Sequence, residues 1–482
     1  MREYLKFYVD GKWVEPTGSR TWDVINPATE EVAGRIAMGE KEDVDRAVAA
    51  ARRAFESWSR TTREERLALL GRIIQVYQTR FKDMCAAISE EMGAPSWVAE
   101  KVQAAAPLAQ IQIAIDVLKN FRFDEVRGST MIRREPIGVC GLITPWNFPA
   151  ILVVAKVVPA LATGCTMILK PSEYSPFSAQ ILAEVLEKAE VPPGVFNLVN
   201  GDGATVGAAL SSHPEIDMIS FTGSTRAGVD VAVKAAPTVK RVHQELGGKS
   251  PNILLEDADF AKSVPAGMQE VMFNSGQICM APTRMLVPRK RMAEVKAIAK
   301  QAAANFNPGK PTDNAFMGPV VNQRQWTRVQ ELIEKGMAEG ATLVTGGPGK
   351  PAGLEKGYYV KPTVFADVSN DMTIAREEIF GPVLVILGYD DVEDAISIAN
   401  DTTYGLAAYI QGGEIEKLRE IGGRIRAGQV TLNGSGLDLI DLAAPFGGYK
   451  RSGNGREWGD YGFEAFLEVK AFIGYNPASS SP

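Results

Sequence analysis

Histidine and cysteine are both scarce in this chain. Among its 482 residues there are only two histidines, His213 and His243. A catalytic general base is therefore expected to be a carboxylate. The four cysteines are Cys85, Cys140, Cys165 and Cys279. They form no CxxC pair and are irregularly spaced, which argues against a zinc site or a disulfide framework. So few cysteines fit a reducing, cytoplasmic compartment.

A strong net charge and an apolar membrane segment are also lacking. A formal charge of −6 argues against nucleic acid or an anionic membrane as the main partner. The N-terminus, MREYLKFYVDGKWVEP, has no apolar core of a signal peptide. Residues 136–155 carry no charge, but three prolines and two glycines interrupt them. Since prolines at this density break a helix, we expect a buried strand, a turn and the start of a helix there.

What the sequence does contain is the composition of a soluble globular protein, with 45% hydrophobic and 23% charged residues. Its length predicts two or three domains. Apolar periodicity predicts early helices at 43–58 and 104–121, and a capping box from Thr62 to Glu65 starts another helix. A second α/β pattern includes helices at 292–304, 323–338 and 392–400. The boundary between the two halves is expected near Gly247-Gly248.

The segment 138–256 alternates short apolar runs with helical patterns. Strands are predicted at 138–144, 165–170, 196–199, 218–221 and 252–255. A helix is predicted at 175–189, with Ser175 as its N-cap and Pro176 at its first position. This alternation predicts a parallel sheet covered by helices on both faces. Ligands of such sheets bind at the carboxyl ends of the strands.

Four stretches attract attention as possible sites, each with a plain structural alternative. Cys279 lies in a polar, turn-forming segment, Phe273-Asn-Ser-Gly-Gln-Ile-Cys-Met-Ala-Pro-Thr-Arg284. It is either a reactive thiol held in place or a buried free cysteine acting as a small hydrophobe. The glycine turns 201–207 and 221–228 either meet a pyrophosphate or are ordinary turns, since neither has GxGxxG spacing and Asp202 in the first would repel a phosphate. Lys170 and Glu173 either bind a ribose or form a solvated ion pair.

Taken together, these stretches resemble the aldehyde dehydrogenase superfamily of the hydrolytic, non-CoA-acylating type. The resemblance runs from Asn26-Pro-Ala-Thr29 to Glu468-Val-Lys470. Its motifs are Pro145-Trp-Asn-Phe-Pro149, Lys170-Pro-Ser-Glu173, Phe221-Thr-Gly-Ser224, Glu245-Leu-Gly-Gly-Lys249, Gly276-Gln-Ile-Cys279, Glu377-Glu-Ile-Phe-Gly-Pro382 and Pro445-Phe-Gly-Gly-Tyr-Lys450.

This resemblance implies an α/β fold with a Rossmann-like cofactor domain, an α/β catalytic domain and a small β bridging arm. The cofactor domain is expected to comprise residues 1–121 and 135–247, with 450–465 packing on it. The catalytic domain is expected at 248–449, and the oligomerisation arm at 122–134 and 466–482. In the family the arm adds to a neighbouring subunit's sheet, so a homodimer or homotetramer is expected.

The same resemblance assigns the chemistry. Cys279 is the nucleophile that attacks the aldehyde carbon, and Asn147 with the Cys279 amide stabilises the oxyanion. Glu245 activates the water that hydrolyses the resulting thioester. Relatives that transfer the acyl group to coenzyme A lack a glutamate at this position, so hydrolysis is expected. The remaining alternatives are a CoA-acylating enzyme and a binding protein that has lost activity.

The implied cofactor is NAD in preference to NADP, because Glu173 would repel a 2′-phosphate and Lys170 only softens that repulsion. The expected cofactor-binding residues are Ile143, Thr144, Trp146, Lys170, Ser172, Glu173, Gly203, Gly207, Phe221, Gly223, Ser224, Leu246, Glu378 and Phe380. Of these, Lys170 and Glu173 are expected on the adenosine ribose and Ser224 on the pyrophosphate. Glu378 and Phe380 are expected at the nicotinamide ribose and ring.

The expected partner is a small-molecule aldehyde, and the predicted substrate residues are Ala155, Ile278, Met280, Ile440 and Phe446. Leu152, Leu437 and Leu439 are expected near them. These side chains predict a medium-sized, largely apolar aldehyde, aliphatic or aromatic, unless they simply pack against one another. Ala155 stands where several family members carry a bulky aromatic residue, which predicts a wider tunnel. Asp438 and Asp441 disfavour a second carboxylate on the substrate. A semialdehyde dehydrogenase of a catabolic pathway is the alternative.

Overall fold

The computed structural model describes residues 1–434 and 440–476. Its strands are β1 (Arg2–Tyr4), β2 (Phe7–Val9), β3 (Lys12–Val14), β4 (Thr21–Asn26), β5 (Glu31–Ala37), β6 (Asp124–Arg127), β7 (Thr130–Pro136), β8 (Val139–Ile143), β9 (Thr166–Lys170), β10 (Phe196–Leu198), β11 (Met218–Thr222), β12 (Arg241–Glu245), β13 (Pro251–Leu254), β14 (Arg284–Pro288), β15 (Thr342–Thr345), β16 (Thr363–Ala366), β17 (Val383–Tyr389), β18 (Ala407–Gln411), β19 (Gln429–Leu432), β20 (Gly453–Asn454) and β21 (Leu467–Ile473).

Its α-helices are α1 (Lys41–Trp58), α2 (Arg63–Thr79), α3 (Phe81–Met92), α4 (Ser96–Val98), α5 (Ala106–Asn120), α6 (Pro149–Thr163), α7 (Phe177–Lys188), α8 (Ala208–Ser212), α9 (Thr225–Ala235), α10 (Phe260–Met272), α11 (Met292–Ala302), α12 (Gln323–Ala338), α13 (Thr373–Arg376), α14 (Val392–Asn400), α15 (Ile415–Arg424) and α16 (Gly459–Glu464).

The first large sheet has the strand order β20-β12-β11-β8-β9-β10-β2-β3. Its centre is parallel, from β12 to β10, with antiparallel strands at both edges. Strands β8, β9 and β11 are buried on both faces, which explains their unbroken apolar runs. Successive residues of β9, Met167 and Ile168, pack in separate hydrophobic clusters, so each face has its own core. The predicted parallel sheet with two covered faces is confirmed, except that the strand predicted at 252–255 is β13 (Pro251–Leu254) and belongs to the second large sheet.

The second large sheet has the order β15-β16-β17-β14-β13-β18-β19 and is parallel except for the pair β15–β16. Along the chain, its first strand is β13, which begins a few residues after Glu245 at the end of β12. The segment 246–250 therefore passes from β12, the second strand of one sheet, to β13 in the interior of the other. The carboxyl end of β12 and the amino end of β13 meet at this connection.

A small antiparallel sheet, β21-β7-β6, stands apart from both. Strand β21 pairs with β7 from Leu467↔Pro136 to Ile473↔Thr130. Most of β21 is exposed, with Val469 and Ile473 exposed by 68% and 87%. Another small sheet, β1-β5-β4, lies near the N-terminus. The last residues of the chain, 477–482, belong to the predicted arm but lie outside the described part.

The uncharged run 136–155 contains β8, a turn and the start of α6, as predicted. No helix in the described part of the chain has the length and apolarity needed to cross a bilayer. Thr62 and Glu65 form the predicted capping box at the start of α2. Helices α12 and α14 have the predicted bounds, and the other predicted helices differ by a few residues at their ends.

The predicted start of α7 is wrong. The helix begins at Phe177, and the Ser175 hydroxyl donates to Trp146 O at 3.2 Å instead of capping the helix. The cap comes from Glu91 of α3, whose carboxylate accepts from the amides of Phe177 and Ser178 at 2.5 and 3.2 Å. A buried carboxylate at a helix N-terminus satisfies orphan amides and the helix dipole together.

Candidate active site

The loop that carries Cys279 follows α10 through a tight turn, Phe273–Gly276. Asn274, Ser275 and Gly276 all have left-handed backbone conformations, with φ of 49°, 56° and 75°. A β-carbon on Gly276 would collide with the backbone of Gly381, so only glycine fits there. The next residues are less buried: Ile278, Cys279 and Met280 are half-buried, whereas the residues before and after them are fully buried. The predicted polar loop holding one thiol at a fixed place is what the structure contains.

Side-chain amides hold this loop against the turn after β8. Asn147 donates through Nδ2 to Gln277 O at 3.0 Å, and Asn274 donates to Asn147 O at 3.0 Å. Gln277 returns a bond to Asn274 O at 2.9 Å, and Gln103 donates to the Asn274 side chain at 3.1 Å. These residues are all buried. The network places the Asn147 amide beside the loop, with its second N–H unused by other described residues.

The Cys279 thiol is a weak acid in this setting. Burial is the main reason that its pKa lies above the ordinary value, followed by the negative charges of Glu378 and Glu245. The backbone amides of Cys279 and Met280 act in the opposite direction and lower the pKa of the thiol. The group is therefore protonated at neutral pH until a positive charge or a base comes near the sulfur.

Glu245, the last residue of β12, is 2% exposed, and neither carboxyl oxygen has a partner among the described residues. Burial and then the neighbouring Glu457 raise the pKa of Glu245 well above its usual range, against Lys156 and Arg456. Glu457 itself pairs with Lys156 at 2.5 Å in a buried ion pair. A β-carbon on Gly447 would come within 2.6 Å of Glu245 Oε1, so the Gly447 backbone lies close beside the carboxyl.

Lys170 and Glu173 lie together where β9 ends. The Lys170 ammonium is buried and donates to Pro171 O and Gly201 O at 2.8 and 2.6 Å. Its distance to the Glu173 carboxylate is 3.5 Å. Burial lowers the pKa of Lys170, while Glu173 and Asp202 favour its charge. Lys170 and Glu173 therefore form a partly buried ion pair, in which the ammonium is also hydrogen-bonded to the backbone, and not a solvated ion pair.

The two glycine turns differ in the side chain that caps the helix after them. Ser224 is exposed and caps α9 by accepting from Ala227 N at 3.3 Å, which leaves its hydroxyl proton available. In the other turn the Asp202 carboxylate accepts from Thr205 N at 2.6 Å, so the protein's own anion occupies this helix start. Gly203 is exposed there, and a β-carbon on Gly207 would lie 3.8 Å from the Lys170 side chain.

Glu378 and Phe380 reach the connection between the two sheets. The Glu378 carboxyl accepts from Gly248 N at 3.0 Å, and burial raises the pKa of Glu378 to about 7. The Phe380 ring meets Trp146 edge to face at 5.3 Å. A β-carbon on Gly247 would collide with the Glu378 carboxyl, and one on Gly248 would collide with the Cys279 carbonyl, which explains the paired glycines.

The other predicted cofactor residues lie at the carboxyl edge of the first sheet. Thr144 directly follows β8, and its buried hydroxyl has no partner among the described residues. Leu246 and Phe221 are buried in the same hydrophobic cluster as Ile143. A β-carbon on Gly223 would meet the Phe221 ring at 2.6 Å. Unlike the Thr144 hydroxyl, the Ser172 hydroxyl has a partner: it accepts from Tyr174 N at 3.2 Å within its own turn.

The predicted substrate residues form a looser group. Ala155 is buried and lines a cavity of about 30 Å³ with Trp458 and Phe463. Phe446 is buried and stacks on Trp458 at 4.5 Å. Ala155 and Phe446 thus both lie near Trp458, and a wider tunnel at Ala155 stays a prediction.

Not all of the predicted late loop can be placed. Ile440 is 44% exposed, and Leu437, Asp438 and Leu439 lie outside the described residues. Asp441 is exposed and accepts from Ala443 N at 2.9 Å in its own turn.

Several polar residues around the site were not identified from the sequence. They are Gln103, Lys156, Lys249, Asn274, Gln277, Tyr409, Arg456 and Glu457. Gln103 directly precedes the helix predicted at 104–121, and Lys156 directly follows the uncharged run 136–155; both side chains are buried, at 1% and 0% exposure. The only signal was a polar residue on an otherwise buried face, which by itself does not indicate a partner.

Comparison with known proteins gives consistent matches along the whole chain. The model of the Aldehyde dehydrogenase family matches residues 13–472. A 3-succinoylsemialdehyde-pyridine dehydrogenase from Pseudomonas sp. is 53% identical over 477 residues, covering 98% of this chain and 99% of that protein. A putative aldehyde dehydrogenase of Staphylococcus aureus (strain bovine RF122 / ET3-1) is 50% identical over 98% of this chain and 100% of its own.

Solved structures agree with these matches. A mutant of aldehyde dehydrogenase C from Pseudomonas syringae, complexed with NAD+ and octanal, has a TM-score of 0.97 and 54% identity over 98% of this chain and 97% of that one. Mycobacterium tuberculosis aldehyde dehydrogenase, complexed with NAD+, has a TM-score of 0.95 and 41% identity over 98% of each chain.

Proposed function

Because the chain belongs to the aldehyde dehydrogenase family, we propose that it oxidises an aldehyde to a carboxylic acid with NAD as the hydride acceptor. The observation that carries this proposal is the meeting of three distant segments. The Cys279 loop is hydrogen-bonded to Asn147 after β8, and Glu245 at the end of β12 acts electrostatically on the Cys279 sulfur.

The first step is addition of Cys279 to the aldehyde. Sγ forms a bond to the carbonyl carbon as the thiol gives up its proton to solvent, and the π bond of the carbonyl breaks so that its oxygen becomes an oxyanion. Donors aimed at that oxygen stabilise the transition state. The free N–H of Asn147 and the Cys279 amide supply two such donors beside the sulfur.

The second step breaks the C–H bond of the thiohemiacetal. When bound, NAD supplies the acceptor for the hydride that leaves this carbon, and Cys279 is then held as a thioester. Glu245 takes a proton from water as the water oxygen attacks the thioester carbon, which releases the acid and restores the thiol. The raised pKa of Glu245 fits a group that both takes and returns a proton.

The cofactor site has the features that a dinucleotide requires. Ser224 opens α9 at a helix N-terminus, where a pyrophosphate is favoured. The unpartnered hydroxyl of Thr144 and the Glu378 carboxyl offer hydrogen bonds at the same sheet edge. Trp146 and Phe380 provide aromatic walls. Relatives complexed with NAD+ support the assignment.

The surroundings of Lys170 favour NAD over NADP. An ammonium group has three protons, and Pro171 O, Gly201 O and Glu173 already lie around it. A 2′-phosphate would therefore be repelled by the Glu173 carboxylate. The Lys170 ammonium could not compensate, because its protons already have partners. A ribose hydroxyl, by contrast, can donate to Glu173.

The proposed substrate is a medium-sized, largely apolar aldehyde. Ile278 and Met280 flank the nucleophile and are half-buried, and Phe446 and Ala155 lie near Trp458. Octanal in one relative and a pyridine-bearing semialdehyde in the name of another both fit this class. The second name also favours an alternative, a semialdehyde dehydrogenase that acts on an aromatic compound.

We also propose the division into domains and the self-association that the resemblance implies. The large sheets separate at 246–250, which supports a cofactor domain at 1–121 and 135–247, with 450–465 packing on it, and a catalytic domain at 248–449. The exposed apolar strand β21 supports an arm at 122–134 and 466–482 that joins a second copy.

One assay tests the function and the substrate class. Wild-type protein and Cys279→Ala are mixed with NAD and a panel of aldehydes, and NADH is followed by absorbance. Wild type should be most efficient on C6–C10 aliphatic or aromatic aldehydes without coenzyme A, while Cys279→Ala binds NAD but forms no NADH. A best substrate that is a short dicarboxylic semialdehyde would contradict the substrate class. Turnover that depends on coenzyme A, or no NADH from any aldehyde, would contradict the hydrolytic function.

A further inference from the structure

Tyr409 lies behind the nucleophile and has no part in the reaction described above. It is the central residue of β18, pairs with Asn252 of β13 and is 1% exposed. Its hydroxyl donates to Met280 O at 3.2 Å. A tyrosine in the interior of the second sheet therefore reaches the residue directly after Cys279.

A buried phenol needs a hydrogen-bond partner, whereas phenylalanine would fill the same space without one. The hydroxyl of Tyr409 has two polar neighbours, the Met280 carbonyl and the carboxyl of Glu270 on α10. Asn147 and its partners hold the loop before Cys279, and Tyr409 holds it just after. The sulfur is thus placed between two anchored backbone segments.

We propose that Tyr409 is a positioning residue for the nucleophile: its bond to the Met280 carbonyl fixes the residue directly after Cys279, and with it the Met280 backbone amide. The inference rests on the proposed role of Cys279. It assigns a function to a side chain that contacts neither the reacting atoms nor the proposed cofactor site.

The electrostatics explain why this amide matters. Glu378 and Glu245 both raise the pKa of Cys279, and Glu270 lies beyond Tyr409. Against them, the amides of Cys279 and Met280 lower the pKa of the thiol. A freely rotating Met280 would give up part of that stabilisation of the thiolate, and the thiol would become a weaker acid.

The test compares Tyr409→Phe with a matched control, Tyr389→Phe. Tyr389 is also a buried strand residue of the second sheet, and its hydroxyl donates to Leu254 O at 2.8 Å. Each variant therefore loses one buried bond to a backbone carbonyl, and Tyr409→Phe also loses the contact with the Glu270 carboxyl. Without aldehyde, the rate of Cys279 alkylation by iodoacetamide is measured against pH, with Cys279→Ala subtracted to remove the other thiols. The same variants are assayed for kcat/KM and for NAD affinity.

Tyr409→Phe should raise the midpoint of the alkylation profile by about 0.5 unit and lower kcat/KM about threefold to tenfold. NAD affinity should stay within about twofold of wild type, and Tyr389→Phe should change none of the three quantities. An unchanged profile in Tyr409→Phe, or an equal shift in both variants, overturns the positioning role. Full activity of Cys279→Ala would instead refute the proposed function, so the two failures are distinguishable.

Discussion

Replacing Glu245 with glutamine should separate the two halves of the reaction. The substitution keeps the size of the side chain, which the close wall at Gly447 requires. Neither Glu245 oxygen accepts a hydrogen bond from the described residues, so no donor loses its partner. Cys279 and Asn147 keep their contacts, and hydride release should therefore still occur once per site.

The structure predicts opposite effects on the two steps. Removing a general base slows the step it serves by about 10²–10⁴-fold, so thioester hydrolysis should fall by that factor. Where Glu245 is ionised, its negative charge raises the pKa of the Cys279 thiol, and a neutral glutamine removes that contribution. The thiol should then ionise at lower pH, so the burst of NADH should be as fast as in wild type or faster.

The sign of the pH dependence follows from the same shifts. The pKa values of Cys279 and Glu245 both lie above their usual ranges, and each group must lose a proton to act. Wild-type turnover should therefore rise as the solution becomes alkaline. In Glu245→Gln the steady-state rate should rise less with pH, because ionisation of the Glu245 carboxyl no longer contributes.

Stopped-flow absorbance of NADH measures the burst and the steady state in one trace, and mass spectrometry of the quenched protein detects the acyl adduct. The expected result is a burst approaching one NADH per site followed by very slow turnover. Glu91→Gln is the matched control, because Glu91 is also a buried glutamate, with its pKa raised to about 7 by burial, but caps α7. Loss of the burst together with turnover would mean that Glu245 acts before hydride transfer.

Two further predictions concern cofactor choice and assembly. Glu173→Gln should raise kcat/KM with NADP relative to NAD by about tenfold or more, because the carboxylate no longer opposes a 2′-phosphate beside Lys170; an unchanged ratio in NADH and NADPH absorbance assays would place selectivity elsewhere. Val469→Asp with Ile473→Asp should shift the protein toward the mass of a single chain in light scattering after gel filtration, since both side chains are exposed on β21. A wild-type-like mass for the double variant would exclude β21 from the interface.

Local pattern was sufficient for most of the secondary structure. Helices α12 and α14 have the bounds that apolar periodicity predicts, and the buried strands β8, β9 and β11 follow short apolar runs. Strand β12, with the sequence RVHQE, has no such run and was not predicted. These features depend on neighbours within a few residues. The start of α7 could not be found in this way, because its cap is Glu91, 86 positions earlier in the chain.

The sequence by itself determined most of the elements, their α/β order and, through its motifs, the candidate catalytic residues Cys279, Asn147 and Glu245. Tertiary structure decided which charges and hydrogen bonds reach them. Lys156 and Glu457 are 301 positions apart, and Met280 and Tyr409 are 129 apart, yet both pairs are in contact. The ionisation of Glu245 and the orientation of the nucleophile loop depend on such pairs, because desolvation and Coulomb interactions act through space and only packing brings the groups together.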